Sequence, residues 1–239
     1  MGLPEDIATV ELDPIEIDFN NNRIKQIVTD EFWTFFLSYE GSVFVCGRNI
    51  GFSGLYLDIN LSVIYTPQQI TPPSIIVHKM VGSDGSVMFL AQDDNMFSYG
   101  VNFYGELGVG NSLSIIGAAS WVSFFAMNNE KVQEMFLVKH NSIFVTDKKR
   151  IYISGRSSQR ERPVCIYETT SNSEIDVTKI KKVVDGDGYG NVLLFHTEDF
   201  EVYRYHYRDE DNVHIVEKVL SCVIDIDSSG RDLSFITST

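Results

Sequence analysis

The chain has 239 residues, 44% of them hydrophobic, enough to bury a substantial core, and one soluble domain is the simplest reading. Its formal net charge of −14 disfavours nucleic acid over most of its surface. Three widely separated cysteines (Cys46, Cys165 and Cys222) and an acidic start without an apolar stretch argue against a disulfide framework and a secretory signal, so a reduced, intracellular setting is expected.

An internal repeat runs along the chain. The first unit opens at the apolar anchor Ile24, continues through Thr34–Leu37 and Val43–Cys46, and ends on Gly47, 23 residues after the anchor. The second repeats this from Val77 through Val87–Leu90 and Met96–Tyr99 to Gly100, and the third from Val132 through Ser142–Val145 and Ile151–Ser154 to Gly155, each again spanning 23 residues. A looser fourth copy starts at Ile180, with Val192–Phe195, Val202–Tyr205 and His206 where the glycine should stand. Its first turn is lengthened by Asp185–Gly190. A fifth begins at Val223 and reaches Leu233–Ile236. Pro14-Ile15 precedes Ile24 by the spacing that separates Pro67-Gln68 from Val77, so residues 7–17 read as the closing part of a unit.

The segments are short, rich in Val, Ile, Phe and Tyr, and bounded by turn pairs such as Glu40-Gly41, Asp84-Gly85, Asp94-Asn95 and Asp147-Lys148. These are strand signals, and consecutive apolar positions suit strands covered on both faces. The expected fold is all-β: a β-propeller of about four full blades, units 24–76, 77–131, 132–179 and 180–222, with a fifth blade shared by 223–239 and 1–23. The bland alternative is a shortened member of a larger array. Ala118–Glu134 suits a helix by propensity, but the repeat spacing predicts strand over Trp121–Phe125 with a helical turn after it. The apolar part of the uncharged stretch 107–129 is too short to span a membrane.

Charge is segregated by unit. Residues 131–182 carry 11 Lys and Arg against 6 acids, a balance of +5 on a body that is otherwise −19. Lys148, Lys149 and Arg150 fall in the turn before the third strand of that unit, and Arg156, Arg160 and Arg162 in the loop after it. This basic third blade is the candidate contact surface, against the alternative of a merely solvated face.

The second unit also carries Tyr99-Gly100-Val101-Asn102-Phe103-Tyr104-Gly105-Glu106-Leu107-Gly108-Val109-Gly110. This closely resembles the signature of the regulator of chromosome condensation repeat, an aromatic–Gly pair, then Asn, then Gly-x-Leu-Gly-x-Gly. Its repeat-defining positions here are Gly100, Asn102, Gly105, Leu107, Gly108 and Gly110, with Gly47 and Gly155 equivalent to the first glycine. Cys46–Leu55 is a worn copy, in which Cys46 replaces the usual Trp as a packing residue. The family's Gly-x-x-His element is nearly lost: Asp30 and Trp33, Ser83 and Ser86, and Val138 and Asn141 stand there, and only Gly186 survives in the fourth unit.

No catalytic, cofactor or metal constellation emerges. His78, His140, His196, His206 and His214 lack zinc-site spacing, and Gly186–Gly190 and the pair Asp185 and Asp187 read as an elongated turn, neither a phosphate loop nor a closed calcium loop. The expected function is a non-enzymatic protein-interaction scaffold. The resemblance implies, as an alternative, guanine-nucleotide exchange or other regulation of a small GTPase, without the family's wedge-like insertion. RNA or ribonucleoprotein binding through the basic blade is a further alternative, less favoured by the acidic body. Monomer and ring-completing oligomer both remain open, and so do nucleus and cytoplasm.

Overall fold

The computed structural model describes residues 16–29, 32–48, 62–113, 115–169, 175–208, 210–211, 213–229 and 232–237. They divide into two compact units, Met1–Val101 with Ile115–Trp121, and Asn102–Ser114 with Val122–Thr239.

The first unit holds two four-stranded antiparallel sheets. One consists of β1 (Ile24–Thr29), β2 (Trp33–Ser38), β3 (Val43–Arg48) and β4 (Val63–Gln69), the other of β5 (Val77–Ser83), β6 (Ser86–Ala91), β7 (Met96–Val101) and β8 (Ile115–Trp121), each paired in chain order. In the second unit a four-residue helix, α1 (Phe124–Met127), precedes the sheet of β9 (Val132–Val138), β10 (Asn141–Thr146), β11 (Arg150–Gly155) and β12 (Arg160–Glu168). The sheet of β13 (Ile180–Asp185), β14 (Val192–Thr197), β15 (Val202–Arg208) and β16 (Val213–Leu220) follows, and then the pair β17 (Val223–Ser229) and β18 (Asp232–Thr237). The architecture is that of β-propeller blades. Within the units first strands meet: β1 touches β5, and β13 touches both β9 and β17. Residues 1–15, on which the shared fifth blade depends, lie outside the described residues.

The repeated anchors are the first residues of β1, β5, β9, β13 and β17. In four blades the carbonyl just before the anchor accepts a backbone bond at 2.9 Å from the residue that follows the second strand: Tyr39 to Arg23, Gln92 to Ile76, Asp147 to Lys131 and Glu198 to Lys179. The ladder slips by one residue beside each anchor, between Ile24 and Gln26, Val77 and Lys79, Ile180 and Lys182, and Val223 and Asp225, and opposite Val132. The second strands of the four full blades are covered on both faces, whereas β18 is exposed throughout; β6 and β10 are buried at every position, which explains their unbroken apolar runs. Phe89 and Phe144, both fully buried at equivalent positions, each contribute about 2–3 kcal/mol by leaving water. Cys46 is fully buried in the first unit's core, and burial pushes its thiol pKa up.

The repeated glycines have one physical cause. Gly47, Gly100 and Gly155 have φ of +128°, +109° and +110°, and each stands directly opposite the first residue of its second strand, Trp33, Ser86 and Asn141. A Cβ on any of the three would lie 2.2 Å from the carbonyl oxygen just before that strand, that of Phe32, Gly85 or His140. The same oxygen accepts the N–H of the residue after the glycine at 2.9–3.0 Å. Glycine thus allows the strand to bend where its ladder to the fourth strand slips, between Val45 and Gly47, Ser98 and Gly100, and Ile153 and Gly155. His206 makes no such bend: the ladder passes it without a slip, pairing it with Val192 on one side and Ile215 on the other, and β15 runs on into a long hairpin with β16.

One expectation is corrected. The strand predicted over Trp121–Phe125 ends at Trp121, and Phe124 and Phe125 open α1. The helical turn buries Phe125 against Phe144 and Tyr152, with ring centroids 4.9 and 5.5 Å away, and the Asn128 side chain donates to the Phe124 carbonyl at 2.7 Å. An extended backbone places successive side chains on opposite faces, so it would not turn Phe125 and its neighbours onto this one site.

Candidate interaction surface

The glycine-rich segment after Gly100 leaves its own sheet and folds onto the third blade. Asn102, fully buried, organises it: its Oδ1 accepts the Leu107 N–H at 2.9 Å, and its Nδ2 donates to the Asn111 carbonyl at 2.8 Å. Leu107 is buried, and the Ser142 hydroxyl donates to the Glu106 carbonyl. Gly105 has φ of +76°, and a Cβ there would lie 2.4 Å from Glu161 Cα. The Gly110 N–H donates to the Glu161 carbonyl at 2.9 Å, and a Cβ on Gly110 would lie 2.6 Å from Arg162 Nε. These glycines permit close approach of loop to blade. Asn102→Ala is expected to lower stability by about 2 kcal/mol, since it leaves the buried Leu107 N–H unmatched. A denaturant titration measures this, and a loss under about 0.5 kcal/mol would contradict it.

Further loops gather at the same end of the blades. Glu106, with no exposed surface, accepts the Tyr104 N–H through Oε2 at 2.8 Å, while its Oε1 stands 3.5 Å from His140 Nδ1. The Tyr104 ring contacts His140, at 4.9 Å between centroids, and has the Arg156 guanidinium over it at 5.2 Å. Lys139 packs against Gly190 of the β13–β14 loop, whose carbonyl accepts the Asn141 side chain at 2.7 Å. That loop is tied by its own aspartates. Asp185 Oδ1 accepts from the backbone of Asp187 and Gly190, and Asp187 Oδ1 from that of Tyr189 and Asn191. Burial chiefly raises the Asp185 carboxyl pKa; Asp187 falls below the ordinary range because hydrogen bonds from Asn191 and Asp185 outweigh its own desolvation. Phe103, Tyr104 and Tyr189 remain exposed. An open groove of about 480 Å³ is lined by Gly110, Gln159, Arg160, Glu161, Arg162, Pro163 and Val164. Burial, and then the charge of Arg160, hold the His214 pKa below its usual value.

The six basic candidates therefore do not form one patch. Arg156, Arg160 and Arg162 sit at the loop end of β11 and β12, with Arg160 and Arg162 exposed. Lys148 and Lys149 are in the turn at the opposite end of β11, roughly 17 Å away along a six-residue strand. Arg150 is engaged there, donating to Glu130 at 3.0 Å and to Glu168 at 3.2 Å. Glu130, only 5% exposed, also accepts the Thr146 hydroxyl and the Tyr152 hydroxyl, each at 2.8 Å. Sequence reasoning overlooked Glu130, although it is the first charge after a long uncharged run and stands two residues before an anchor. It also overlooked Phe103, Tyr104, Lys139, His140 and Tyr189 as surface, because only folding brings their loops together. Among the described residues no group of three or more His, Cys, Asp or Glu could hold a metal ion. None of the helices described is long and apolar enough to cross a membrane.

Comparison with solved structures gives the yeast protein Prp20p from Saccharomyces cerevisiae a TM-score of 0.71, with 15% identity over 100% of this chain and 62% of that one. The fold is that of the regulator of chromosome condensation repeat propellers. Yeast RCC1 (Prp20) bound to Kap60 gives 0.67, with 14% identity over 93% of this chain and 56% of the other. Human WBSCR16 gives 0.66, with 13% identity over 87% and 56%. The chain thus spans 56–62% of the length of these propellers. No family model and no curated protein sequence matches the chain.

Proposed function

We propose that this chain is a non-enzymatic, intracellular protein-interaction scaffold of the regulator of chromosome condensation type, which engages an acidic partner protein through the loop end of its third blade. The observation that carries this reading is the groove lined by exposed Arg160 and Arg162, together with Arg156 over the exposed Tyr104 ring, in the loop whose Gly105 packs on Glu161. Arginine and tyrosine dominate binding energy at protein interfaces, and here they stand on a rigid frame. The acidic remainder of the molecule, at −19, would repel an acidic partner elsewhere and steer it to this sector.

Capture of partner protein by the immobilised chain, titrated with salt from about 0.05 to 0.5 M, tests the reading. The expected result is loss of capture at high salt and with Arg160→Glu/Arg162→Glu, while Lys148→Glu/Lys149→Glu at the far end of the blade leaves it intact. Capture indifferent to both salt and the arginines would sink it.

A second reading, regulation of a small GTPase, is favoured by the likeness to Prp20p, whose structure was described together with its binding properties to Gsp1p and histones. Fold alone does not carry that activity across. A nucleotide-release assay on candidate GTPases decides it, and no acceleration at micromolar protein would remove it.

A further inference from the structure

The loop end of the third blade also indicates the form of its partner. Resting on the scaffold reading above, we infer that the arginine groove takes carboxylate side chains from an extended acidic segment, and that an aromatic or aliphatic residue of the same segment lies on Phe103 and Tyr104. The groove is open, about 480 Å³, and its walls are the exposed side chains of Arg160 and Arg162 on either side of Glu161. Pro163, Val164 and the close-packed Gly110 backbone form the apolar part of the lining. Because Gly110 lacks a Cβ, the Arg162 side chain lies directly against the loop, which limits the freedom it has left to lose on binding. The Glu161 carboxylate accepts the Ser112 hydroxyl at 2.6 Å and is thereby tied to the loop. Guanidinium groups bind carboxylates with two parallel hydrogen bonds, a geometry that an ammonium cannot supply.

Tyr104 precedes Gly105, which packs on Glu161 of the groove, and is held by three contacts. Its N–H is bound by buried Glu106, one face packs on His140, and Arg156 stands over the ring. A ring so fixed presents apolar surface with little entropy left to lose. Charge limits the size of the occupant. A broad acidic surface would meet the −19 remainder of the molecule, and a long nucleic acid would meet it too, whereas a short segment reaches only the arginines at this loop end.

Fluorescence anisotropy with a labelled short peptide of glutamates around a central phenylalanine tests the inference on the full chain. The expected result is micromolar binding that weakens at least about tenfold with Arg160→Glu/Arg162→Glu and about threefold to tenfold with Tyr104→Ala. Lys148→Glu/Lys149→Glu should leave it unchanged, and the unfolding midpoints of the two charge-reversal variants should match that of the wild type. Equal binding of a peptide with glutamines in place of the glutamates, or tighter binding of single-stranded oligouridylate, would overturn the inference. Arginine-dependent capture of a partner protein without any peptide binding would also overturn it, since the groove would then read a folded surface, and the scaffold reading would stand. Capture independent of the arginines would remove that reading itself.

Discussion

Gly155→Ala is expected to lower the unfolding free energy by about 3 kcal/mol, from backbone strain at positive φ and the loss of one backbone bond. At φ of +110° an L side chain is strained, and the added Cβ would sit 2.2 Å from the His140 carbonyl oxygen. That oxygen is fixed, because it accepts the Arg156 N–H at 2.9 Å and precedes fully buried Asn141. The backbone can relieve the overlap only by opening the bend after β11, which would also displace Arg156 from Tyr104. Urea titration at pH 7 measures the loss, and a change under about 1 kcal/mol would show that the bend tolerates a side chain. His206→Gly is the informative counterpart. It places glycine where the ladder runs straight, so a loss of only about 0.5–1 kcal/mol is expected there, from backbone entropy.

Glu130→Ala is expected to be as damaging, about 3 kcal/mol, because it strands groups that lose their partner inside the fold. Glu130 joins the end of α1 to β10 and β11 by accepting from Thr146, Arg150 and Tyr152. Burial by itself would raise its carboxyl pKa. Hydrogen bonds from Tyr152, Thr146 and Arg150, with the charge of Arg150, outweigh that and hold it below the usual 4.5. Burial and the bond to Glu130 push the Tyr152 hydroxyl up to about 12, so it remains a donor at every physiological pH. The sign of the pH dependence follows. With the folded pKa depressed, the stabilisation from this carboxylate is present above about pH 4.5 and is lost as pH falls through the folded value. Glu130→Gln keeps the shape without the charge, so its unfolding midpoint should fall less between pH 5 and the acid limit than that of the wild type. Parallel acid-unfolding curves for the two proteins would refute this.

The split of the basic sector shows how far charge counting along a sequence can be trusted. Six cations within 15 residues of sequence read as one surface, yet β11 separates them end from end, and Arg150 is occupied by Glu130 and Glu168. An antiparallel hairpin sends the turns before and after a strand to opposite ends, so neighbours in sequence part company in space. Conversely, Tyr104, His140 and Tyr189 are far apart in the chain and come to one end because each lies in a connection of the same sense.

The sequence by itself determined the repeat, the strand character of its segments and the places where the backbone must bend. Spacing, alternation and glycine are local properties, and the anchors at Ile24, Val77, Val132, Ile180 and Val223 each open a strand. Where two local preferences competed, it did not decide. Phe124 and Phe125 became helix because Phe144 and Tyr152 form the site that receives Phe125, and those residues follow it by about twenty positions or more. Only the tertiary structure decided which arginines share a groove, which one is held in ion pairs, and that the loop after Gly100 packs on the third blade. Each of these depends on contacts between segments distant in the chain, which no local pattern encodes.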